Sequence, residues 1–227
     1  MEPIMTKKIF IKFMVIAAFF SDAFSAEDKS DVQHMNISFA GTQLIGRFEG
    51  FREKIYMCPG GRPTIGFGHV VREAEIDKFP GIMSQEEGYI LLGRDIETVY
   101  VPDIKRYVKV PLTQRQFDAL TSFDYNLGAK NFRGSTLLKL LNSGDDDNAS
   151  LQFPLWRNAN GKYLPGLFKR RLAEMFIFRN DDHVPLELAT ISTKVPGQTL
   201  MDVYQALPER LKEEARDIYL AYNAHYH

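Results

Sequence analysis

The chain has 227 residues, with 28 Lys plus Arg against 29 Asp plus Glu and a single Cys. A composition of 44% hydrophobic and 25% charged residues excludes a largely disordered or collagen-like chain, and a net charge of −1 argues against a polyanion binder, so no nucleic-acid partner is expected. One Cys excludes an intrachain disulfide framework and any multi-Cys metal site, and no metal or cofactor is expected.

In chain order, Lys7, Lys8 and Lys12 make a positive front, Phe13 to Phe20 is continuously apolar, and Ala23-Phe24-Ser25 offers a cleavage pattern. Residues 1–25 therefore read as a secretory signal peptide, too short in its apolar run for a comfortable membrane span, with an uncleaved anchor as the alternative. Export to the periplasm or outside the cell follows, with the membrane met only through this segment. The lone Cys would then be a free thiol or an intermolecular partner. Residues 26–36 are polar and read as a linker.

From Ile37, apolar residues at Ala40, Leu44, Ile45 and Phe48 keep a helical period, with Ser38 as N-cap and Gly50 as stop, which leaves Glu49 in the last turn. KIYMCPGGRPTIGFGHVV then reads as a hairpin around a Gly-bearing loop, with Cys58 and Thr64 facing each other across its mouth. Ser84 to Glu87 is a capping box opening a helix from Gln85 to Tyr107, broken or kinked at Pro102. Thr113 to Gln116 is a second box, opening a helix that Gly128 ends. Further helices are expected at Ser135–Asn142, Asp146–Trp156 and Pro165–Arg179, the last with Pro at its first position. The acidic run Asp145-Asp146-Asp147 reads as a helix start and not a calcium loop. One hairpin followed by a helical body is an α+β pattern.

Residues 181–227 read as a separate extension, loop-like at first, with a turn of helix at Leu200–Ala206 and an amphipathic helix at Pro208–Asn223. The extension holds four basic and eight acidic residues, −4, while residues 26–180 carry +2. Simple packing is the plain reading of the extension; a protein partner for it is the alternative.

Glu49 stands where a helix C-terminus presents partial negative charge, which disfavours ionisation of a carboxylate and suits a general acid. In isolation it would be an ordinary solvated Glu. Cys58 lies nine residues and Thr64 fifteen residues further on, so a helix end feeding a hairpin can gather an acid, a thiol and a hydroxyl around one cleft.

FEGFREKIYMCPGGRPTIGFGH resembles the phage-type lysozymes (glycoside hydrolase family 24), with their E-G and T-I-G-Y-G-H elements. The similarity continues through PLTQRQFDALTSFDYNLG, STLLKLLN, Trp156 with NANGKYLPGL, and FKRRLAEMF, about two-thirds of the chain in order. It implies a lysozyme-like fold over residues 37–180, a small β-hairpin lobe joined to a mostly helical lobe, followed by the extra C-terminal helix. It implies a monomeric muramidase that cleaves the β-1,4 bond between N-acetylmuramic acid and N-acetylglucosamine in bacterial peptidoglycan, with inversion. The family's catalytic Glu, Asp and Thr fall on Glu49, Cys58 and Thr64, so Cys replaces the usual Asp. His69 is implied to pair with Asp95 as a structural tie. Arg170 or Arg171 is placed to reach Glu49 or a substrate carboxylate; helix-surface charge is the alternative, and the sequence does not choose. Trp156 reads as core ahead of sugar platform.

An unperturbed thiol titrates at ~8.5, so Cys58 needs help from neighbours such as Arg52, Lys54 or Arg62 to work as a thiolate at neutral pH. The missing Asp leaves two other readings open: a lytic-transglycosylase-like cleavage giving anhydro products, and a non-catalytic wall-binding module.

Overall fold

The computed structural model describes residues 28–226. The signal-peptide reading of residues 1–25 lies outside them. Among the described residues, no helix is long and apolar enough to cross a membrane.

The first helix, α1 (Phe39–Glu49), starts where the Ser38 side chain accepts from the Gly41 N–H and buries Leu44 and Ile45. The chain then forms an antiparallel sheet of β1 (Arg52–Met57), β2 (Pro63–Gly66) and β3 (His69–Val70), in that order. The register pairs Tyr56 with Thr64 and Met57 with Pro63, and slips between Arg52 and Tyr56, where an irregularity bends the strand. Every residue of β1 is exposed, so the sheet is held through β2, whose Ile65 is fully buried against Val71, Met83 and Leu91. Phe51, Phe67 and Tyr89 stack in series, with centroid separations of 5.2 and 4.5 Å, and fasten this small lobe to the body.

The body comprises α2 (Gln85–Val99), α3 (Val101–Tyr107), α4 (Gln114–Leu127), α5 (Ala129–Gly134), α6 (Thr136–Asn142), α7 (Asp146–Ser150) and α8 (Pro165–Arg179). Both capping boxes form, Ser84 with Glu87 and Thr113 with Gln116. The helix that starts at Gln85 ends at Val99 and restarts at Val101, with Pro102 in the first turn of α3, where its missing N–H costs nothing. α4 and α8 form the centre, with Phe117, Phe123, Phe168, Leu172 and Phe176 buried between them and their neighbours.

Several expectations are corrected. The segment read as a linker is packed: the Ser30 N–H donates to the Leu112 carbonyl at 2.7 Å, and Val32 and Met35 are buried, because two apolar side chains in a polar stretch suffice to anchor it. The sheet lobe has three strands, since Gly68 (φ 105) lets the chain turn back on itself after β2. A second hairpin, β4 (Asn158–Ala159) and β5 (Lys162–Tyr163), turns through Asn160 and Gly161, both at positive φ. The helix expected over Asp146–Trp156 stops at Ser150, and a short 3-10 turn at Phe153–Leu155 follows around Pro154.

The extension is not separate. After a 3-10 turn at Leu186–Ala189 come α9 (Leu200–Gln205) and α10 (Glu209–Asn223), and α10 packs along α8. Ala215, Ile218, Tyr219 and Tyr222 join the main core, and Lys169 pairs with Glu214 at 2.5 Å. The Tyr222 hydroxyl donates to the fully buried Asp118 at 2.7 Å. Asp118 also accepts from the Ser38 N–H and hydroxyl and from Gln114, so α1, α4 and α10 meet at one carboxylate.

Candidate active site

Glu49 is the last residue of α1, and Gly50, at φ 72, takes the chain out of the helix at an angle that favours Gly. Arg170 on α8 donates from Nη1 to Glu49 Oε1 at 2.8 Å, with the guanidinium 4.7 Å over the Phe48 ring. Arg170 is buried and held on its other sides: Nε donates to Glu174 Oε1 at 3.1 Å, and Nη2 to the Ser122 carbonyl at 3.2 Å. Ser122 in turn donates to Glu174 at 2.7 Å. This positive charge offsets the partial negative charge of the helix end at which Glu49 sits.

Of the two candidate arginines, therefore, Arg170 reaches Glu49. Arg171 is fully buried, donates to Glu174 at 2.8 Å and lies 5.0 Å over the Phe123 ring; burial pulls its guanidinium down to about 10. Glu174 Oε1 thus accepts from both arginines, a pairing readable from its i+4 and i+3 spacing to them in FKRRLAEMF.

Cys58 follows β1 at the mouth of the turn. Its N–H donates to the Arg62 carbonyl at 3.0 Å, and its carbonyl accepts from the Gly61 N–H at 2.8 Å. Hydrogen bonding by the Arg62 backbone and next by the Thr64 side chain brings the thiol down to about 7; burial opposes them, and the Gly60 backbone and the Arg62 side chain add smaller contributions. The help comes mainly from the loop's own backbone, not from the charges of Arg52 or Lys54. Thr64 is buried in β2, and its hydroxyl lies 3.0 Å from the Arg62 carbonyl. That hydroxyl has one proton for two acceptors, the carbonyl and an ionised Cys58.

His69 on β3 meets Asp95 on α2, Nδ1 lying 2.8 and 3.1 Å from the two carboxylate oxygens. Both line a cavity of about 320 Å3 between sheet and helices, together with Arg62, Tyr100 and Tyr125. The two tyrosine rings lie 4.6 Å apart. Their phenols are pushed up chiefly by burial and further by carboxylates, Glu49 foremost for Tyr125. Tyr100 and Tyr125 escaped the sequence reading because aromatics in helices read equally well as core. Trp156 is half-buried, edge-on to Phe123 at 5.8 Å. Among the described residues, the one cluster with metal-ligating reach is Asp181, Asp182 and His183, at the start of the extension.

Comparison with known proteins gives this geometry a family. Residues 46–174 match the model of the phage lysozyme family. The endolysin of Acyrthosiphon pisum secondary endosymbiont phage 1 is 44% identical over 150 residues, covering 64% of this chain and 99% of that protein. The SAR-endolysin of Escherichia phage Mu is 40% identical over 136 residues, 60% of this chain and 77% of that one. Against the longer endolysins of Bacillus phages B103 and PZA the chain spans 54% and 62% of their length. The crystal structure of a P22 lysozyme mutant shares 34% identity with a TM-score of 0.57, covering 64% of this chain and 99% of that one. The chain belongs to the phage lysozyme family and is a hydrolase of the lysozyme class.

Proposed function

We propose that this protein is an exported muramidase that hydrolyses the β-1,4 bond between N-acetylmuramic acid and N-acetylglucosamine in bacterial peptidoglycan. Glu49 is the general acid and protonates the leaving oxygen as positive charge develops on the sugar. Arg170, fixed by Glu174 and Ser122, takes up the charge left on Glu49 once its proton has gone. The Cys58 thiolate, favoured by the Arg62 backbone and the Thr64 side chain, receives a proton from the water that attacks the anomeric carbon on the opposite face. The new C–O bond forms to that water, the glycosidic C–O bond breaks, and solvent restores both protonation states. His69 and Asp95 are structural, tying the sheet to α2.

The observation that carries this reading is the 2.8 Å pair of Glu49 with a buried, fully braced Arg170. Export rests on the signal-like residues 1–25 and on the SAR-endolysin relative. The occupation of the Asp position by Cys58 favours, as the second reading, a one-acid lytic-transglycosylase-like cleavage in which the sugar's own hydroxyl replaces water. Purified peptidoglycan treated with the mature chain should lose turbidity and gain reducing ends. Glu49→Gln should do neither, and equal activity in that variant would sink the assignment.

A further inference from the structure

Asp118 and Ser122 stand one turn apart on α4 and serve the two ends of α1. At the N-terminal end, Asp118 accepts from the Ser38 N–H at 3.1 Å and from its hydroxyl, and Ser38 caps the helix. At the C-terminal end, the Ser122 carbonyl holds Arg170, and Arg170 holds Glu49. α10 of the extension grips this frame at both of its partners. The Tyr222 hydroxyl donates to Asp118 at 2.7 Å, and His225, just past the helix, stands edge-on to Phe39 of α1 at 5.9 Å. About two turns earlier on α10, Glu214 accepts from Lys169 at 2.5 Å, and Lys169 is the neighbour of Arg170 on α8. The two side chains leave α8 about 100° apart, Lys169 toward α10 and Arg170 toward α1. The family match covers residues 46–174, so α10 lies outside it.

We propose that α10 is a positioning strut for the acid, with Tyr222 and Glu214 as positioning residues that keep α1 and α8 at the separation the Glu49–Arg170 contact needs. The assignment rests on Glu49 being the general acid of the muramidase. α1 is a rod about 16 Å long, so a tilt at its Ser38 end is carried through to Glu49. Arg170 cannot follow such a shift, because Glu174 and Ser122 fix its other arms. Asp118 is fully buried, so loss of the Tyr222 hydroxyl leaves an acceptor short of a donor, and the junction at Ser38 must rearrange to answer it. A displacement of about 1 Å at a reacting group is enough to cost on the order of 10²-fold in rate. The walls of the cleft that would hold the substrate on the sheet side stay in place, so the loss falls on kcat and not on KM.

The test uses the full mature chain and compares Tyr222→Phe, which keeps the ring and removes the hydroxyl, with Leu188→Ala. Leu188 is buried in a separate apolar cluster with Leu151 and Leu200, so its truncation loosens the extension away from α1. Melting curves set a temperature at which both variants are folded. On solubilised glycan strands, kcat should fall about tenfold in Tyr222→Phe with KM within about twofold of wild type, and both constants should hold in Leu188→Ala. The Arg170 Nε–H resonance should move in Tyr222→Phe and stay in Leu188→Ala. Glu214→Gln, a change at the surface, should lower kcat about threefold at unchanged KM, and it takes the place of Tyr222→Phe if that variant does not fold. Wild-type kcat in the folded positioning variant, an equal loss of kcat in Leu188→Ala, or an unmoved Arg170 resonance would each overturn the proposal. Failure of the wild type to cleave the strands would instead overturn the muramidase reading, while the Arg170 resonance still decides the strut.

Discussion

Arg170 Nη1 stands 2.8 Å from Glu49 Oε1, and Glu174 and Ser122 allow that guanidinium no other position. The acid at the end of one helix is thus oriented by a cation in the centre of another, across a sequence separation of 121 residues. Glu49→Gln should keep the fold and lose activity by about 10²-fold or more, the usual worth of a general acid. Arg170→Met should lose activity and also stability. It leaves Glu174 buried with Arg171 alone, a loss of about 3 kcal/mol by analogy with broken buried pairs, to be read from denaturant midpoints.

The Cys58 thiol, held near 7, should be about half ionised at neutral pH. Its alkylation rate should rise with pH through about 7 and level off well before that of a thiol of value 9.0. The deprotonated form is the active one in the mechanism above, so kcat/KM should rise over the same range. Thr64→Val removes one donor and should move both profiles to higher pH. Cys58→Asp should retain activity and shift the rising limb down into the carboxylate range, whereas Cys58→Ser should lose it.

Asp124 on α4 is buried, and among the described residues neither of its carboxylate oxygens has a hydrogen-bond partner. Burial, and next the charge of Asp103, raise it to about 7 from 3.8. The folded chain therefore holds a proton that the unfolded chain releases, and stability from this group falls as pH rises from about 4 to 7. Asp124→Asn should be more stable than wild type at pH 7.5 by about 2 kcal/mol or more, because the amide has no charge to desolvate there. The gain should vanish near pH 4. A pH-independent difference would contradict the burial account.

Gly41 lies against Asp118, where an added Cβ would come within 2.5 Å of the carboxyl carbon. Gly41→Ala should therefore break the junction of α1, α4 and α10 and lower the melting temperature. Removing residues 181–227 should be worse, because Tyr222 leaves Asp118 and the apolar face of α8 loses its cover. Loss of cooperative unfolding in the truncated chain is the expected outcome, and a stable truncated domain would contradict it.

The sequence carried the local devices well: the Ser38, Ser84 and Thr113 caps, the hairpin turn, the Pro102 break and the Pro165 start all depend on neighbours a few residues apart. Glu49, Cys58 and Thr64 stood out through the resemblance of FEGFREKIYMCPGGRPTIGFGH to the phage-type lysozymes, since their clustering within sixteen positions is compatible with one cleft and does not by itself select them. What could not be read was set by distant contacts. The choice of Arg170 over Arg171 depends on which face of α8 meets Ser122 and Phe48. Val32 and Met35 anchor a polar stretch because they join the same core cluster as Leu112, and α10 is bound to the body through its apolar face, the Lys169–Glu214 pair and the Tyr222–Asp118 bond.

Mass analysis of muropeptides released from purified peptidoglycan by the mature chain, and by its Cys58→Asp and Glu49→Gln variants, tests the proposed chemistry most directly. Hydrolysis with Glu49 as acid and Cys58 as base predicts reducing muropeptides from the wild type and Cys58→Asp, and none from Glu49→Gln. Products one water lighter from the wild type, with an anhydro sugar end, would contradict it.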